Sequence, residues 1–285
     1  MIDLHTHSTF SDGSLTPEEL VKEAKKNRLS ALALTDHDTV SGIPHFLKAC
    51  QKYKIKGIPG IEFSVNDELS DGGQIHIIGL FIDHTSAEIN KYARSMKKFR
   101  IERNKKIVNK LQEMDIPITI AEVQEESTDG VLGRAHIARV LIKKEVVLSV
   151  QEAFDKLIGP GKPAFVPKPR FMAEEIIGLI KNAGGLSILA HPMYLNFKSS
   201  IKLYDFIQSL AGYGLNGIEI FYPNTPKKTV NQLLKIADEL ELLISGGSDY
   251  HGKTIRPEIN LGTGRGDLHI PDCLLEEMEK LQLAN

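Results

Sequence analysis

Met1-Ile2-Asp3-Leu4-His5-Thr6-His7-Ser8, with Asp12-Gly13-Ser14 just behind it, is the stretch around which the chain is organised. Met1, Ile2 and Leu4 read as the end of a short buried strand. Successive side chains on a strand point to opposite faces, so His5 and His7 project the same way. Two imidazoles on one face can hold one divalent metal, and Asp12, after a short polar loop, is placed to reach the same space. Alone, a His-x-His pair also fits an ordinary polar N-terminus.

The rest of the chain decides between these readings. The apolar strand at 31–35 runs into Asp36-His37-Asp38, and Gly57 to Ile61 leads to Glu62. Gln74 to Ile82 contains His76. Leu186 to Ala190 ends at His191-Pro192, and Leu242 to Ser245 runs into Asp249-Tyr250-His251. Each polar group except His76 lies at or just past the C-terminal end of an apolar strand, and His76 lies within its strand, with flanking isoleucines that allow it to face a lumen. In a β/α barrel the strand ends converge on one face, where active sites sit. Asp249 and His251 repeat the spacing of His5 and His7. Joint placement on six strands, five of them at their ends, points to a multinuclear metal centre.

Helices separate the strands. Thr16-Pro17-Glu18-Glu19 carries a capping box, and further helices are expected at 44–53, 173–183, 201–210 and after Thr225-Pro226. With the strand Gly217 to Phe221, about seven short strands alternate with helices, which predicts a parallel sheet or barrel. Residues 88–165 break the alternation: they are mostly helical and charged, and Gly159 to Pro169 closes them. The expected organisation is therefore a barrel of 1–87 and 166–285 with a helical insertion of 88–165. Between Lys91 and Lys110 stand nine Lys/Arg against one acid, either a solvated helix face or an electropositive rim for an anionic substrate.

Composition narrows the function classes. The chain has 285 residues, 41% hydrophobic and 25% charged, with formal net charge -2, which argues against a basic nucleic-acid coat. No apolar run approaches the roughly 20 residues needed to cross a bilayer, and the acidic, His-rich N-terminus does not read as a signal peptide. Cys50 and Cys273 are too few for a disulfide framework, so both are expected reduced in a cytoplasmic protein.

The motifs His5-Thr-His7 with Asp12, Thr35-Asp-His37-Asp, Glu62, His76, His191-Pro and Ser248-Asp-Tyr-His251 resemble, in order, those of the polymerase and histidinol phosphatase (PHP) family of metal-dependent phosphoesterases. The resemblance implies a distorted (β/α)7 barrel and two to three divalent metals, of which Mn, Zn, Fe and Mg all suit mixed N/O ligands. It implies one metal on His5, His7, Glu62 and Asp249, a second on Glu62, His76 and His191, and a third on Asp12, His37 and His251. Catalysis would then depend on Glu62, Asp249 and His251, with a water activated between metals.

The insertion and Gly133-Arg134-Ala135-His136-Ile137-Ala138-Arg139 resemble the branch that removes the 3'-phosphate of nucleoside 3',5'-bisphosphates, some members of which trim short RNA from the 5' end. Arg134 and His136 are the expected grip on a substrate phosphate, since a guanidinium forks onto phosphate and a helix N-terminus favours anions. The expected partner is a small phosphorylated substrate, a nucleotide or short RNA, with no membrane. Competing readings are another monoester such as histidinol phosphate, a non-catalytic PHP-like module, and an amidohydrolase. The last would show a metal-bridging lysine at a strand end, and none stands there. Asp36 and Asp38 either orient neighbouring ligands or are solvated loop acids, and Glu219, in mid-strand, is left without a role.

Overall fold

Among the described residues, seven strands form one sheet in chain order: β1 (Ile2–Asp3), β2 (Ala31–Leu34), β3 (Lys56–Val65), β4 (Ile75–Leu80), β5 (Leu186–Leu189), β6 (Gly217–Phe221) and β7 (Leu243–Gly246). The computed structural model describes residues 1–65, 75–126, 132–167, 171–195, 197 and 200–284. Gln74, the expected start of the fourth strand, and 168–169 of the Pro/Gly-rich connection lie outside the described residues, as do 127–131 of the insertion.

The alternation of strands and helices is as expected, but the sheet is mixed and not parallel throughout. β4 runs antiparallel to both β3 and β5, whereas the other neighbours are parallel. Parallel neighbours need a crossover of about a dozen residues or more. Only 66–74 separate β3 from β4, too few for a crossover helix, so the chain reverses. β3 is correspondingly longer than the sequence suggests. It carries Glu62 inside the strand, paired with Ile78, because its second half has β4 as a partner. The reversal places the first residues of β4, including His76, at the edge where the parallel strands have their last residues.

Strand parity sorts the side chains. Ala31 and Ala33, Ile78 and Leu80, and Leu186 and Ile188 join Ile2, Leu4 and Ile58 in an inner cluster. Leu32, Leu34, Phe63, Ile77 and Leu189 face the other way, into the layer under the helices. Glu62 shares parity with Ile58, and His76 with Ile78, so both fall on the inner face.

The sheet closes between its first strand and the residues at and after its last. Leu4 donates to the Gly246 carbonyl at 3.2 Å, His7 donates to the Tyr250 carbonyl at 2.9 Å, and Thr6 bridges Tyr250 in parallel. Buried Asp3 accepts from the Ser248 and Gly262 amides at 2.9 and 2.8 Å. Burial raises its carboxyl to about 6 even though Ser248, Gly262 and His5 donate to it. Gly247 is needed at the seam, because a Cβ there would stand 2.3 Å from the His5 Cβ and 2.6 Å from its backbone nitrogen.

The barrel is flanked by α1 (Pro17–Lys26) and α2 (Ile43–Tyr53), and the insertion holds α3 (Ala87–Gln112), α4 (Ile120–Glu125), α5 (Arg134–Lys143) and α6 (Val150–Ala153). α6 continues as one π-helical stretch, Phe154–Ile158. The chain returns through α7 (Ala173–Asn182), α8 (Ser200–Gly212), α9 (Lys227–Glu239) and α10 (Cys273–Ala284). The Thr16/Glu19 capping box forms as read from the sequence. Thr225 does not cap α9: its hydroxyl donates to the Tyr222 carbonyl instead. The closing helix α10 has no counterpart in the sequence reading, and Leu274, Leu275 and Met278 seal the inner cluster.

α3 joins the two parts. Ile89, Tyr92 and Met96 pack on the outer layer of the barrel, while Ile107, Val108 and Leu111 pack with Ile137 and Leu141 in a separate cluster. Each fully buried aliphatic side chain contributes about 1.5–3 kcal/mol, so the insertion has its own apolar driving force.

Candidate metal centre

Glu62 is the hub. Its Oε1 lies 2.8 Å from His76 Nδ1 and 3.1 Å from His191 Nε2. Its Oε2 lies 2.9 Å from His37 Nδ1, 3.3 Å from His7 Nε2 and 3.4 Å from His5 Nε2. Asp249 Oδ1 is 3.4 Å from His5 Nε2 and 3.2 Å from His7 Nε2. Asp12 Oδ1 is 3.3 Å from His251 Nε2 and 3.9 Å from His7 Nδ1. All nine residues expected from the sequence therefore lie in one constellation, seven of them buried and Asp12 and His37 half-buried.

Three sets of donor atoms fall within 4.8 Å of one another among the described residues: His5, His7 and Asp249; His37, Glu62 and His76; and His7, Asp12, His37 and His251. These overlap the three sets implied by the family resemblance. The geometry differs by placing His37 between the second and third sets and by letting His7 face the first and third.

The donor chemistry fits divalent cations. His5 Nε2, His7 Nε2, Asp12 Oδ1, His37 Nδ1, Glu62 Oε2, His76 Nε2 and His191 Nδ1 are buried without a hydrogen-bond partner among the described residues. Glu62 Oε1 is within hydrogen-bond distance of His76 and His191, whereas the carboxylates stand 3.2–3.4 Å from the His5 and His7 Nε2 atoms without bonding them, which leaves room for shared cations. Orphaned buried polar atoms are costly, and a cation at those points removes the cost.

Electrostatics agree. Burial opposes protonation of His7, but the neighbouring carboxylates of Asp249 and Glu62 outweigh it and push the ring up to about 10. His5 is likewise held well above its ordinary value, against burial, by Glu219, Glu62 and Asp249. Glu62 stays well below the carboxylate range because His37, His76 and His5 outweigh its burial, and Asp249 does so through Arg256, His5 and His251. Burial brings His76 down to about 4 despite Glu62, which leaves it the neutral imidazole that ligates metals. The constellation is a concentrated negative site that attracts cations.

Several positioning groups escape a sequence reading. Glu219 accepts from the His191 amide at 2.7 Å and lies 2.9 Å from His5 Nδ1, so one carboxylate fixes two candidate ligands on different strands. The available signal was an acid in mid-strand between Ile218 and Ile220, both buried outward. Tyr222 and Arg256 hold Asp249 Oδ2 at 2.8 and 2.7 Å, which leaves Oδ1 turned to His5 and His7. His191 and Asp249 have left-handed backbones with φ of 29° and 51°, a strain that clusters at functional sites.

Asp36 and Asp38 are buried and are not solvated loop acids. Asp36 accepts from the Ser8 amide, the Ser8 hydroxyl and the Ser11 hydroxyl, at 2.7, 2.6 and 2.6 Å, and so shapes the loop that carries Asp12. Asp38 accepts from Ser64, from Tyr92 at 2.7 Å and from Arg100, which ties α3 to the barrel.

The nine-residue basic run divides. Arg100 and Arg103 are buried, and the seven others are exposed. Arg134 is buried as well. Its Nη1 donates to the Ile158 carbonyl at 3.0 Å, and its guanidinium lies over the Phe154 and Phe165 rings. His136 Nδ1 accepts from the Gly133 amide at 3.0 Å, so the ring proton sits on Nε2. Arg139 donates to the Asp12 carbonyl at 3.0 Å. His45 and His269 are exposed and His84 is half-buried, clear of the constellation.

Comparison with known proteins adds four findings. The PHP domain family matches residues 3–176. The chain is 36% identical over 249 residues to a 5'-3' exoribonuclease of Haemophilus influenzae, covering 87% of this chain and 89% of that one. It is 30% identical over 251 residues to a 3',5'-nucleoside bisphosphate phosphatase of Chromobacterium violaceum, covering 88% and 87%. A solved structure of an amidohydrolase from Chromobacterium violaceum, determined with bound sulfate and no metal, superposes with TM-score 0.86 at 28% identity over 98% of this chain and 96% of that one.

Proposed function

We propose, from the premise that the chain belongs to the PHP domain family, that this metal-dependent phosphoesterase removes the 3'-phosphate of nucleoside 3',5'-bisphosphates. The observation that carries the reading is the Glu62 hub, where both oxygens face imidazoles from separate strands and the outward-facing ring and carboxylate atoms lack partners. His5, His7, Glu62 and Asp249 would hold one metal, Glu62, His76 and His191 a second, and Asp12, His37 and His251 a third. Divalent metals supply Lewis acidity toward phosphoryl oxygens and an activated water at neutral pH.

The chain's own part is orientation. Glu219 fixes the His5 ring so that Nε2 points at Glu62 and Asp249. Tyr222 and Arg256 neutralise the far oxygen of Asp249. Asp36 holds the Ser8–Ser11 turn that presents Asp12. Arg134 and His136 begin α5, the helix whose Arg139 reaches the Asp12 carbonyl, and in this reading they grip a substrate phosphate and residues 88–165 serve as a substrate cap.

The bisphosphate substrate is supported by the name of the Chromobacterium relative, and short 5'-phosphorylated RNA, as a second substrate, by that of the Haemophilus relative. The amidohydrolase reading lacks its strand-end lysine. Phosphate release from adenosine 3',5'-bisphosphate, 5'-AMP, histidinol phosphate and short 5'-phosphorylated RNA, with Mn2+ and after chelation, is the test. Metal-dependent release from the bisphosphate ahead of the other monoesters is the expected result. No metal-dependent release from any substrate overturns the phosphoesterase reading.

A further inference from the structure

We infer that the cleft between α1 and α2, lined by Phe10, His45 and Lys48, holds the body of a single-stranded RNA whose 5'-terminal nucleotide occupies the metal centre. The inference rests on the function proposed above for the scissile group and extends it from the mononucleotide to the strand.

The chemistry requires such a surface. A nucleoside 3',5'-bisphosphate and a 5'-phosphorylated strand present the same bond, between O3' of the first nucleotide and its phosphorus. Water adds to the phosphorus and the P–O3' bond breaks. The hydroxyl stays on phosphorus, and the remaining proton of the water ends on O3'. In the bisphosphate the other phosphoryl oxygens are free. In RNA one of them is O5' of the second nucleotide, so the rest of the strand has to leave the metal centre along some surface, and the phosphate departs with it as a new 5' end.

The cleft has the size and the position for that part of the strand. Its volume is about 970 Å³, at the upper end of the roughly 300–1,000 Å³ of ordinary small-molecule sites. It lies where the loop after β1, the first turn of α1 and one face of α2 diverge. A helix that follows a barrel strand starts at the edge where that strand ends, so the cleft opens at the edge that carries the metal centre. Phe10 stands two residues before Asp12, which keeps their Cα atoms within about 7 Å, the reach of a single nucleotide. The Phe10 amide donates to Ser8 Oγ at 3.2 Å, and the Ser8 hydroxyl donates to Asp36 at 2.6 Å. The carboxylate that shapes the Asp12 loop therefore also fixes Phe10.

The lining suits bases and phosphodiesters. The Phe10 and His45 rings are stacked, with centroids 5.4 Å apart and planes 26° from parallel. An aromatic face in an open, cationic groove accepts any base, because every base has a π-face. His45, Lys48 and Lys52 are spaced three and four residues apart and share one face of α2. Lys52 is engaged by Glu18 at 2.9 Å. Lys48 is exposed and makes no ion pair among the described residues, which leaves its ammonium for a phosphodiester. None of these contacts reads a base edge, so binding there is indifferent to sequence.

The test compares adenosine 3',5'-bisphosphate, which ends before the cleft, with a 5'-phosphorylated RNA hexamer, which reaches it. In the Mn2+-loaded protein carrying His45→Ala and Lys48→Glu, kcat/KM for the hexamer falls at least about 20-fold, from one lost base stack and one lost phosphate contact, while that for the bisphosphate stays within about twofold of the wild type. His45→Trp, which keeps a stacking face, retains hexamer activity. An unchanged hexamer kcat/KM overturns the cleft, and so does an equal fall for both substrates, which marks general damage. If the wild type cleaves no RNA, the RNA part of the proposed function fails, and the hexamer then survives Mn2+ and reads the cleft alone. His45→Trp supplies the only tryptophan of the chain. Its fluorescence is quenched on titration with the hexamer, and adding Lys48→Glu weakens that binding at least about tenfold. No quenching, or quenching indifferent to Lys48→Glu, overturns the cleft independently.

Discussion

Glu219→Gln isolates what one positioning carboxylate contributes to metal binding. Glu219 holds the His5 ring at 2.9 Å and the His191 amide at 2.7 Å. Glutamine keeps a single acceptor oxygen. If that oxygen stays on the His191 N–H, the new NH2 group faces His5 Nδ1, and the ring can answer it only by moving its proton to Nε2. Nε2 is the atom turned toward Glu62 and Asp249, at 3.4 Å from each. The substitution thus removes one hydrogen bond to a charged group, about 1.5–3 kcal/mol, and disfavours the ligating tautomer. Outer carboxylates of this kind change metal affinity by about 10–100-fold, which matches that energy at about 1.4 kcal/mol per tenfold. The assay is Mn2+ titration calorimetry on metal-stripped protein, with metal content measured after dialysis. The expected result is Mn2+ affinity about 10–100-fold weaker, and Glu219→Ala weaker still because the buried His191 amide loses its acceptor. Wild-type affinity and metal content in Glu219→Gln, with only a lowered Tm, would refute the orienting role.

Four further outcomes follow from the same geometry. Glu62→Ala leaves five imidazole nitrogens without their shared carboxylate, so metal content falls by more than one ion per chain and turnover drops at least about 10³-fold; full metal content with wild-type turnover contradicts the hub. Because carboxylates push His7 up to about 10, protons compete with metal below that pH; apparent Mn2+ affinity therefore rises from pH 6 to pH 9, about tenfold per pH unit for each proton displaced, with proton release visible by calorimetry in buffers of different ionisation enthalpy. Tyr92→Phe deletes the 2.7 Å bond to Asp38 that ties α3 to the barrel and costs about 1–3 kcal/mol in denaturant titration. Gly247→Ala forces a Cβ into the His5 backbone, and the expected signature is lost metal and a large fall in Tm, whereas Gly246, already inside β7, does not bear on His5.

The barrel was legible because its signals are local. Short apolar runs between capped helices set the strand order, and polar residues at their ends marked one face. The nine candidate ligands could be named one by one for the same reason, since each stands in a short motif tied to a strand end. Their sharing out in space could not: His37 bridges two sets because its Nδ1 faces Glu62 and its Nε2 faces Asp12, a matter of ring rotation that spacing does not encode.

What the sequence determined by itself, then, is the alternating α/β chain with a helical insertion and the residue types that converge on a metal centre. Only the tertiary structure decided the direction of β4, the lumen position of Glu219 and the difference between Arg100 and Arg103 and the seven exposed basic residues around them. Helical periodicity places Arg100 and Arg103 one turn apart on the face of Met96 and Ile107, but a cationic face reads as solvent-facing until another element covers it. Here α5 and Asp38 cover it, and contacts between segments so distant in sequence arise from packing alone.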